Sequence, residues 1–387
     1  MQYRVNQKNG DNLSALGLGC MRLPNNEEHA SRLIRHAIDN GVNYLDTAYV
    51  YRGNEVLVGK ALHDGYRGRV KLATKLPPYY VRKYEDLDKL LGTSLRRLKT
   101  DYIDYYMIHM LSDVKVWERL INIGILRWLE SKREKGQIIN LGFSYHGGKN
   151  MFIDLLDAYD WDFCMIQYNF YDENNQAGRS GLEYAAYMGL PVIVMEPLRG
   201  GKLVNGLPRQ VYDLWENAHI KRSPAEWALR WIWNQPEVTL LLSGMNNMDM
   251  LNENLRIADT AEPESFTAYD LALFEKAREL IKSLTKVPCT ACGYCMPCPQ
   301  GVDIPTCFSC LNEIAVEGRW RAWLNYLTYT SMSADTKTAS RCIKCNACEV
   351  HCPQGIRIGD QLDMVSRAFE GPIYKPVRYL IKKFMQL

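Results

Sequence analysis

Two sets of four cysteines near the C-terminus carry the most specific chemistry in this chain: Cys289, Cys292, Cys295 and Cys298, then Cys342, Cys345, Cys348 and Cys352. In each set two residues separate the first three cysteines, and the fourth is followed by proline (Pro299, Pro353). Closely spaced thiolates on a looping backbone can reach three iron corners of one [4Fe–4S] cube, while the fourth corner needs a ligand from elsewhere. Zinc sites usually share four ligands from two CxxC pairs, so a third cysteine at the same spacing, twice over, fits zinc poorly. Disulfides need an oxidising compartment, and Met1-Gln2-Tyr3-Arg4-Val5-Asn6-Gln7-Lys8 has no apolar core of an export signal. The pattern predicts two [4Fe–4S] clusters and one-electron chemistry.

Four other polar residues fall at or just beyond the ends of short apolar runs. Asp46 closes Asn43-Tyr44-Leu45-Asp46, and Tyr51 follows five residues on. Lys75 closes Lys71-Leu72-Ala73-Thr74-Lys75, and His109 closes Tyr105-Tyr106-Met107-Ile108-His109. Together they can serve carbonyl reduction, which needs hydride at carbon and a proton at oxygen. A free tyrosine has a pKa of about 10, and a neighbouring ammonium lowers it. Lys75 is therefore expected to lower the pKa of Tyr51, with Asp46 keeping Lys75 charged and in place. Tyr51 then acts as general acid, and His109 donates to or orients the substrate oxygen. Taken singly, each has an ordinary structural role, such as Asp46 capping a turn.

The elements that position these residues alternate. Tyr3-Arg4-Val5, Asn9-Gly10-Asp11 and Leu13 read as a small hairpin. Strands are predicted at 16–18, 42–45, 70–74, 103–107, 138–142, 163–167, 191–195 and 238–242, with helices such as 27–40, 85–98, 117–135 and 223–234 between them. Eight strand–helix alternations favour a closed (β/α)8 TIM barrel over a doubly wound sheet. In such a barrel chemistry sits at the C-terminal ends of the strands, where the four polar residues fall. Gly41, Gly136 and Gly189 stand where left-handed helix ends are expected. Helices are also predicted near 267–285 and 303–335, the latter with Trp320, Trp323 and Leu324 on an apolar side. Cys307 and Cys310 share a helical face and are read as buried packing. The domains are expected to be residues 1–285, the barrel, and 286–387, an α-helical ferredoxin-like domain.

The order and spacing of Asp46, Tyr51, Lys75 and His109 resemble the aldo-keto reductases, whose tetrad is Asp, Tyr, Lys and His. Gly53-Asn54-Glu55, Gly142-Phe143-Ser144, Gln167-Tyr168-Asn169 and Glu253-Asn254 extend the resemblance over about 270 residues. Cys289-Thr290-Ala291-Cys292-Gly293-Tyr294-Cys295-Met296-Pro297-Cys298-Pro299 narrows it to the ferredoxin-fused branch. The resemblance implies NAD(P)(H) contacts from Ser144 and Gln167 to the carboxamide, and Met195 at the ring-stacking position. It also implies Leu198, Gly200 and Lys202 along the pyrophosphate, and Ser243, Asn246, Glu253 and Asn254 at the adenine end. The sequence departs from the family in placing Tyr145 where an Asn is usual. Gly244 and Met250 stand where many members hold a phosphate-clamping pair, and neither pairs a phosphate. NAD, NADP and a flavin thus stay open. By likeness to two-cluster ferredoxins, the cysteine before each proline ligates the other cluster. Cys289, Cys292 and Cys295 then join Cys352, and Cys342, Cys345 and Cys348 join Cys298.

Composition narrows the function classes. Hydrophobic residues at 47% and charged residues at 24% describe a globular chain, and a net charge of +3 leaves no nucleic-acid footprint. No apolar run reaches membrane-span length, and a cytoplasmic location is expected. A terminal helix from Tyr374, with Lys375, Arg378, Lys382 and Lys383, is expected to dock on the barrel rather than on a lipid surface. The leading expectation is an oxidoreductase acting on a small-molecule carbonyl or alcohol, with clusters relaying single electrons. Hydride moves two electrons and a cluster one, so direct exchange needs a flavin or a radical-capable intermediate. A redox partner protein fits this scheme. The alternative is an electron-transfer protein whose barrel is a docking scaffold or holds a flavin.

Overall fold

The computed structural model describes every residue except Arg52, Ser112, Gly148, Gly206, 290–292, Tyr294, 332–335, Pro353, Gln354, Gln386 and Leu387. Among the described residues there are ten strands: β1 Tyr3–Val5, β2 Asn12–Ser14, β3 Leu16–Gly19, β4 Tyr44–Asp46, β5 Lys71–Leu76, β6 Ile103–Ile108, β7 Ile138–Tyr145, β8 Phe163–Gln167, β9 Val192–Met195 and β10 Val238–Ser243. β1 and β2 pair antiparallel as the expected hairpin. The other eight close into a barrel in the order β10-β3-β4-β5-β6-β7-β8-β9, and each pairs parallel with its neighbours. The eight predicted strands are these eight, within two residues at their ends except β7, which runs three residues beyond the predicted 142.

Alternation along each strand decides what fills the barrel. Tyr105 and Met107 of β6, Phe163 and Met165 of β8, and Leu240 and Leu242 of β10 meet Tyr44, Ala73 and Ile193 in one buried cluster. Period-two spacing sends these side chains inward and their neighbours toward the helices. The hairpin serves the opposite end from the chemistry. Its Leu13 joins that cluster, the Asn6 amide donates to the Tyr105 hydroxyl at 3.0 Å, and that hydroxyl donates to Asp11 at 2.8 Å.

Helix ends follow the glycines. Gly41, Gly136 and Gly189 have φ of 94°, 64° and 69°, as expected of left-handed caps. The stretch predicted as one helix over 117–135 is two, Val114–Ile123 and Ile125–Glu134. Gly124, at φ 101°, ends the first and starts the second, and its missing side chain leaves room for the Tyr84 ring.

The chain divides into two compact units, one of Met1–Val204 with Arg222–Asp270, the other of Asn205–Lys221 with Leu271–Leu387. The second unit is helical, with Ile304–Ser331, Ile358–Phe369 and Tyr374–Met385. Cys307 and Cys310 are fully buried in its core with Phe308, Leu311, Tyr326 and Phe369. The helix Ile304–Ser331 breaks at Gly318, φ 78° and ψ 160°. After the break Trp323, Tyr326 and Leu327 turn inward, while Trp320 is 70% exposed and Leu324 is exposed as well. The apolar side predicted to include Trp320 and Leu324 is therefore narrower than expected, and Trp320 instead stacks on Trp323 at 5.3 Å. Tyr374 and Val377 of the terminal helix pack into this same core.

Gly142 illustrates how tightly the barrel wall is drawn. A Cβ there would stand 2.4 Å from the Phe163 carbonyl oxygen and 2.8 Å from its ring on β8. Gly142→Ala must push β7 from β8, an overpacking cost of about 1–3 kcal/mol or more. Thermal unfolding followed by circular dichroism should show a lower midpoint for this variant.

Candidate active site and cluster cavity

Lys75 is the hub at the C-terminal end of the barrel. Parallel pairing sets Asp46 beside Ala73, so Lys75, two residues further along β5, projects on the same inner face. Its Nζ donates to both Asp46 carboxylate oxygens at 2.6 Å and to the Thr47 carbonyl at 2.8 Å. Both partners are buried. Burial works against the ammonium, but Asp46 and Tyr51 together hold the Lys75 pKa above its usual value.

Tyr51 lies with its ring centroid 5.1 Å from Lys75 Nζ and edge-on to His109 at 6.1 Å. All four tetrad residues thus come together. The electrostatics of Tyr51 differ from the sequence expectation. Lys75 is the largest single influence and lowers its pKa, yet burial, Asp46 and Cys20 together outweigh it, and the phenol is raised above its ordinary value. Tyr51 is therefore held as the protonated acid. His109 is lowered to about 3, first by burial and then by the charges of Lys75 and His146. Its Nδ1 is buried with no hydrogen-bond partner among the described residues.

Gly53-Asn54-Glu55 explains how this end is braced. Gly53, at φ 80°, precedes the helix Asn54–Ala61. The Asn54 amide donates to the carbonyls of Cys20 and Met21 at 2.6 and 3.0 Å. Glu55 accepts from Thr74 on β5 at 2.8 Å and pairs with Arg97 at 3.0 Å.

The residues expected to line a dinucleotide are engaged to different degrees. Ser144 Oγ accepts the Met110 amide at 2.8 Å, leaving its own proton to donate. Gln167 Nε2 donates to Asp172 at 2.8 Å, while its Oε1 is buried without a partner among the described residues. Met195 is half-buried and packs against the barrel core, in keeping with ordinary packing. Leu198 and Gly200 belong to the loop after β9, Gly200 has φ 69°, and Lys202 begins the short helix Lys202–Asn205. Asn254 donates to Ser243 at 3.0 Å, Ser223 donates to Glu253 at 2.6 Å, and Asn246 is exposed.

Three residues were not singled out by the sequence. Cys20 is buried at the end of β3, close enough to sense Asp46 and Lys75, and burial pushes its thiol well up. His146 follows β7; burial lowers its pKa, Glu196 and Gln176 raise it, and Lys75 lowers it. Arg22 reaches from the turn Cys20–Arg22 to the backbone of Gly200 and Gly244. Only His146 had a sequence signal, a histidine just past a strand end, like His109.

In the second unit, Cys298, Cys342, Cys345 and Cys348 line one partly open pocket with Ile304, Lys344 and Leu362. Among the described residues no three Cys, His, Asp or Glu side chains converge on a single-ion site. Four thiols spread round a cavity suit a cube of irons better than one tetrahedral ion. Cys292 lies outside the described residues, and Cys289, Cys295 and Cys352 are half-buried against the same core. The two cysteine runs repeat one backbone plan. Gly293 at φ 79° and Asn346 at φ 58° occupy equivalent left-handed positions. The glycine after each Cys-Pro-Gln donates to the cysteine carbonyl, Gly301 to Cys298 at 2.8 Å and Gly355 to Cys352 at 3.1 Å. That four-residue repeat was legible in the sequence.

The barrel and its site define an aldo/keto reductase. Residues 15–278 match the aldo/keto reductase family, and the chain belongs to it. Residues 288–357 match the 4Fe-4S dicluster domain. The chain is 26% identical over 285 residues to the uncharacterized oxidoreductase YqkF of Bacillus subtilis, covering 64% of this chain and 88% of that one. It superposes on the holo form of the aldo-keto reductase AKR11C1 from Bacillus halodurans with a TM-score of 0.61 and 28% identity, over 72% of this chain and 96% of that one. An aldo-keto reductase from Klebsiella pneumoniae in complex with NADPH shares the fold, at TM-score 0.56 and 22% identity, over 71% and 95% of the two chains. The protein is an oxidoreductase enzyme. Among the described residues no helix is long and apolar enough to cross a membrane.

The low pKa of His109 has a signed consequence. Unfolded, it titrates near 6.5; folded, near 3. Between these values the unfolded chain binds a proton that the folded chain does not. The stability that His109 contributes is thus complete above about pH 6.5 and falls as pH drops toward 3, by up to about 1.4 kcal/mol per pH unit. Urea unfolding at pH 7 and pH 4.5 should show a smaller pH dependence for His109→Gln than for the parent.

Proposed function

We propose that the barrel reduces a small-molecule carbonyl, or oxidises the matching alcohol, with NAD(P)(H), and that Tyr51 is the proton donor. The convergence of Tyr51 and His109 on a buried Lys75–Asp46 pair carries this reading. The protein of the same fold from Klebsiella pneumoniae is in complex with NADPH, and a nicotinamide dinucleotide is the cofactor class proposed for this chain. The donor set fits one: a carboxamide needs both an acceptor and a donor, and Gln167 Oε1 and the Ser144 hydroxyl offer them.

A bound nicotinamide would supply the hydride. The residues do the rest. Tyr51 gives its phenolic proton to the carbonyl oxygen as that oxygen gains charge. Lys75 stabilises the phenolate left behind, and Asp46 keeps Lys75 charged. His109, neutral, donates a hydrogen bond to the same oxygen and orients it. In the alcohol direction the same proton returns to Tyr51. At neutral pH the phenol rests in its acid form, ready to donate.

For the C-terminal domain we propose two [4Fe–4S] clusters, which would supply one-electron exchange with a redox partner protein in the cytoplasm. Cys298 with Cys342, Cys345 and Cys348 would hold one, as the shared cavity supports. Cys289, Cys292, Cys295 and Cys352 would hold the other. The core packing of Met195 favours a second reading, in which the barrel takes a flavin or acts as an electron-transfer scaffold.

Anaerobic reconstitution followed by addition of NADH, NADPH or a flavin, with cluster absorbance and carbonyl reduction recorded together, tests both readings. Reduction with a nicotinamide is expected; binding of a flavin alone would replace the first reading with the second. Tyr51→Phe should lower reduction by about 10²–10⁴-fold while leaving nicotinamide binding in place. Retention of full activity would remove Tyr51 as donor. Cys298→Ser should roughly halve the iron bound per chain. Unchanged iron content would argue against Cys298 as a ligand.

A further inference from the structure

Arg22 ends the single turn that follows β3; its backbone is held at the root and its tip lies over two glycines. At its root, Asn54 grips the carbonyls of Cys20 and Met21. At its tip, the guanidinium lies against two bare backbones. A Cβ at Gly200 would stand 2.9 Å from Nη2, and one at Gly244 would stand 3.7 Å from Nη1. Gly200 follows β9 and Gly244 follows β10, and β9, β10 and β3 are consecutive in the barrel wall. The side chain thus crosses the C-terminal ends of three neighbouring strands, on the face where barrels bind ligands. Among the described residues the guanidinium has no hydrogen bond, ion pair or ring partner. It is exposed, yet drawn over the loops rather than away from them.

A guanidinium is a planar fork of donors that matches phosphate oxygens two at a time. An unpaired fork lying over glycines is suited to a phosphate that approaches close to backbone. We propose that Arg22 binds the pyrophosphate of the dinucleotide, gripping it from the β3 side opposite the loop that carries Leu198 and Gly200. The proposal rests on the nicotinamide reading given above. Two observations favour the pyrophosphate over a 2′-phosphate. The guanidinium lies closer to Gly200 than to Gly244, and the adenine-end positions Gly244 and Met250 bring no cation to join it. Glycine at 200 then has two reasons: its φ of 69° and the space that Arg22 occupies. Both nicotinamide dinucleotides carry a pyrophosphate, so Arg22 would strengthen NADH and NADPH binding equally and leave the choice between them to other residues.

Dissociation constants of NADH and NADPH, and of ADP as a competitor, can be measured by fluorescence titration of the full-length protein and its Arg22→Gln and Arg22→Lys variants. Arg22→Gln should weaken NADH, NADPH and ADP alike by about tenfold to a hundredfold, with unchanged circular dichroism. Arg22→Lys should recover part of the loss, since it keeps the charge and gives up the fork. Equal affinities for parent and Arg22→Gln would overturn the proposal. A loss confined to NADPH would overturn it too, by moving Arg22 to the 2′-phosphate. A parent that binds no dinucleotide would instead remove the nicotinamide reading, and this inference with it.

Discussion

A buried ammonium organises the active end of the barrel. Isolating a charge from water costs several kcal/mol even after relaxation, and a partner lost from such a pair costs about as much again. Lys75 meets that demand with three acceptors, two from Asp46 and one from Thr47. The requirement propagates outward. The carboxylate must come from the end of β4, the amine from the end of β5, and the register between these strands must bring the two together. A one-residue slip would turn Lys75 toward the helices and leave Asp46 facing no counter-charge. The pair is therefore better understood as a constraint on geometry than as a source of stability.

Tyr51 inherits its character from the same pair. A lysine near a phenol invites the conclusion that the phenol is acidified, and taken alone it is. The carboxylate needed to keep that lysine charged pushes the other way, as does the burial that makes the pair effective. The net result is a protonated phenol beside a charge ready to stabilise its loss. His109 follows the same logic: burial and the nearby ammonium keep it neutral, so it can offer a hydrogen bond without adding a second cation. The bracing by Asn54 and Glu55 ties the loop that bears Tyr51 to β5 and to the turn after β3.

Much of this was legible in the sequence, for reasons that can be named. Strands and their order follow from local periodicity, while the tetrad follows from the resemblance to the aldo-keto reductases, with Asp46, Lys75 and His109 at or next to strand ends. Gly41, Gly136 and Gly189 each stand after a helical run and carry positive φ. What was illegible depends on neighbours distant in sequence. Arg22 becomes notable only because Gly200 and Gly244 fold beneath it. The direction of the Tyr51 shift is a sum over Lys75, Asp46, Cys20 and burial that no spacing reveals. Trp320 and Leu324 read as core because the helical pattern was continued through Gly318, where the chain in fact breaks. Gly124 misled in the same manner.

The two cysteine runs repeat one local plan without being identical. Equivalent left-handed residues, Gly293 and Asn346, recur in the two runs, and Gly301 and Gly355 donate in the same way to the Cys298 and Cys352 carbonyls. The spacing before the fourth cysteine differs by one residue, two in the first run and three in the second. That difference changes where Cys298 and Cys352 project relative to their own runs. Cys298 lies in the cavity of the second run, and Arg341, the residue before Cys342, donates to the Gln300 carbonyl at 2.7 Å to hold the first turn against that run. Despite the shorter spacing, Cys298 lies beside the thiols of the second run, and the Arg341 contact joins the two segments there.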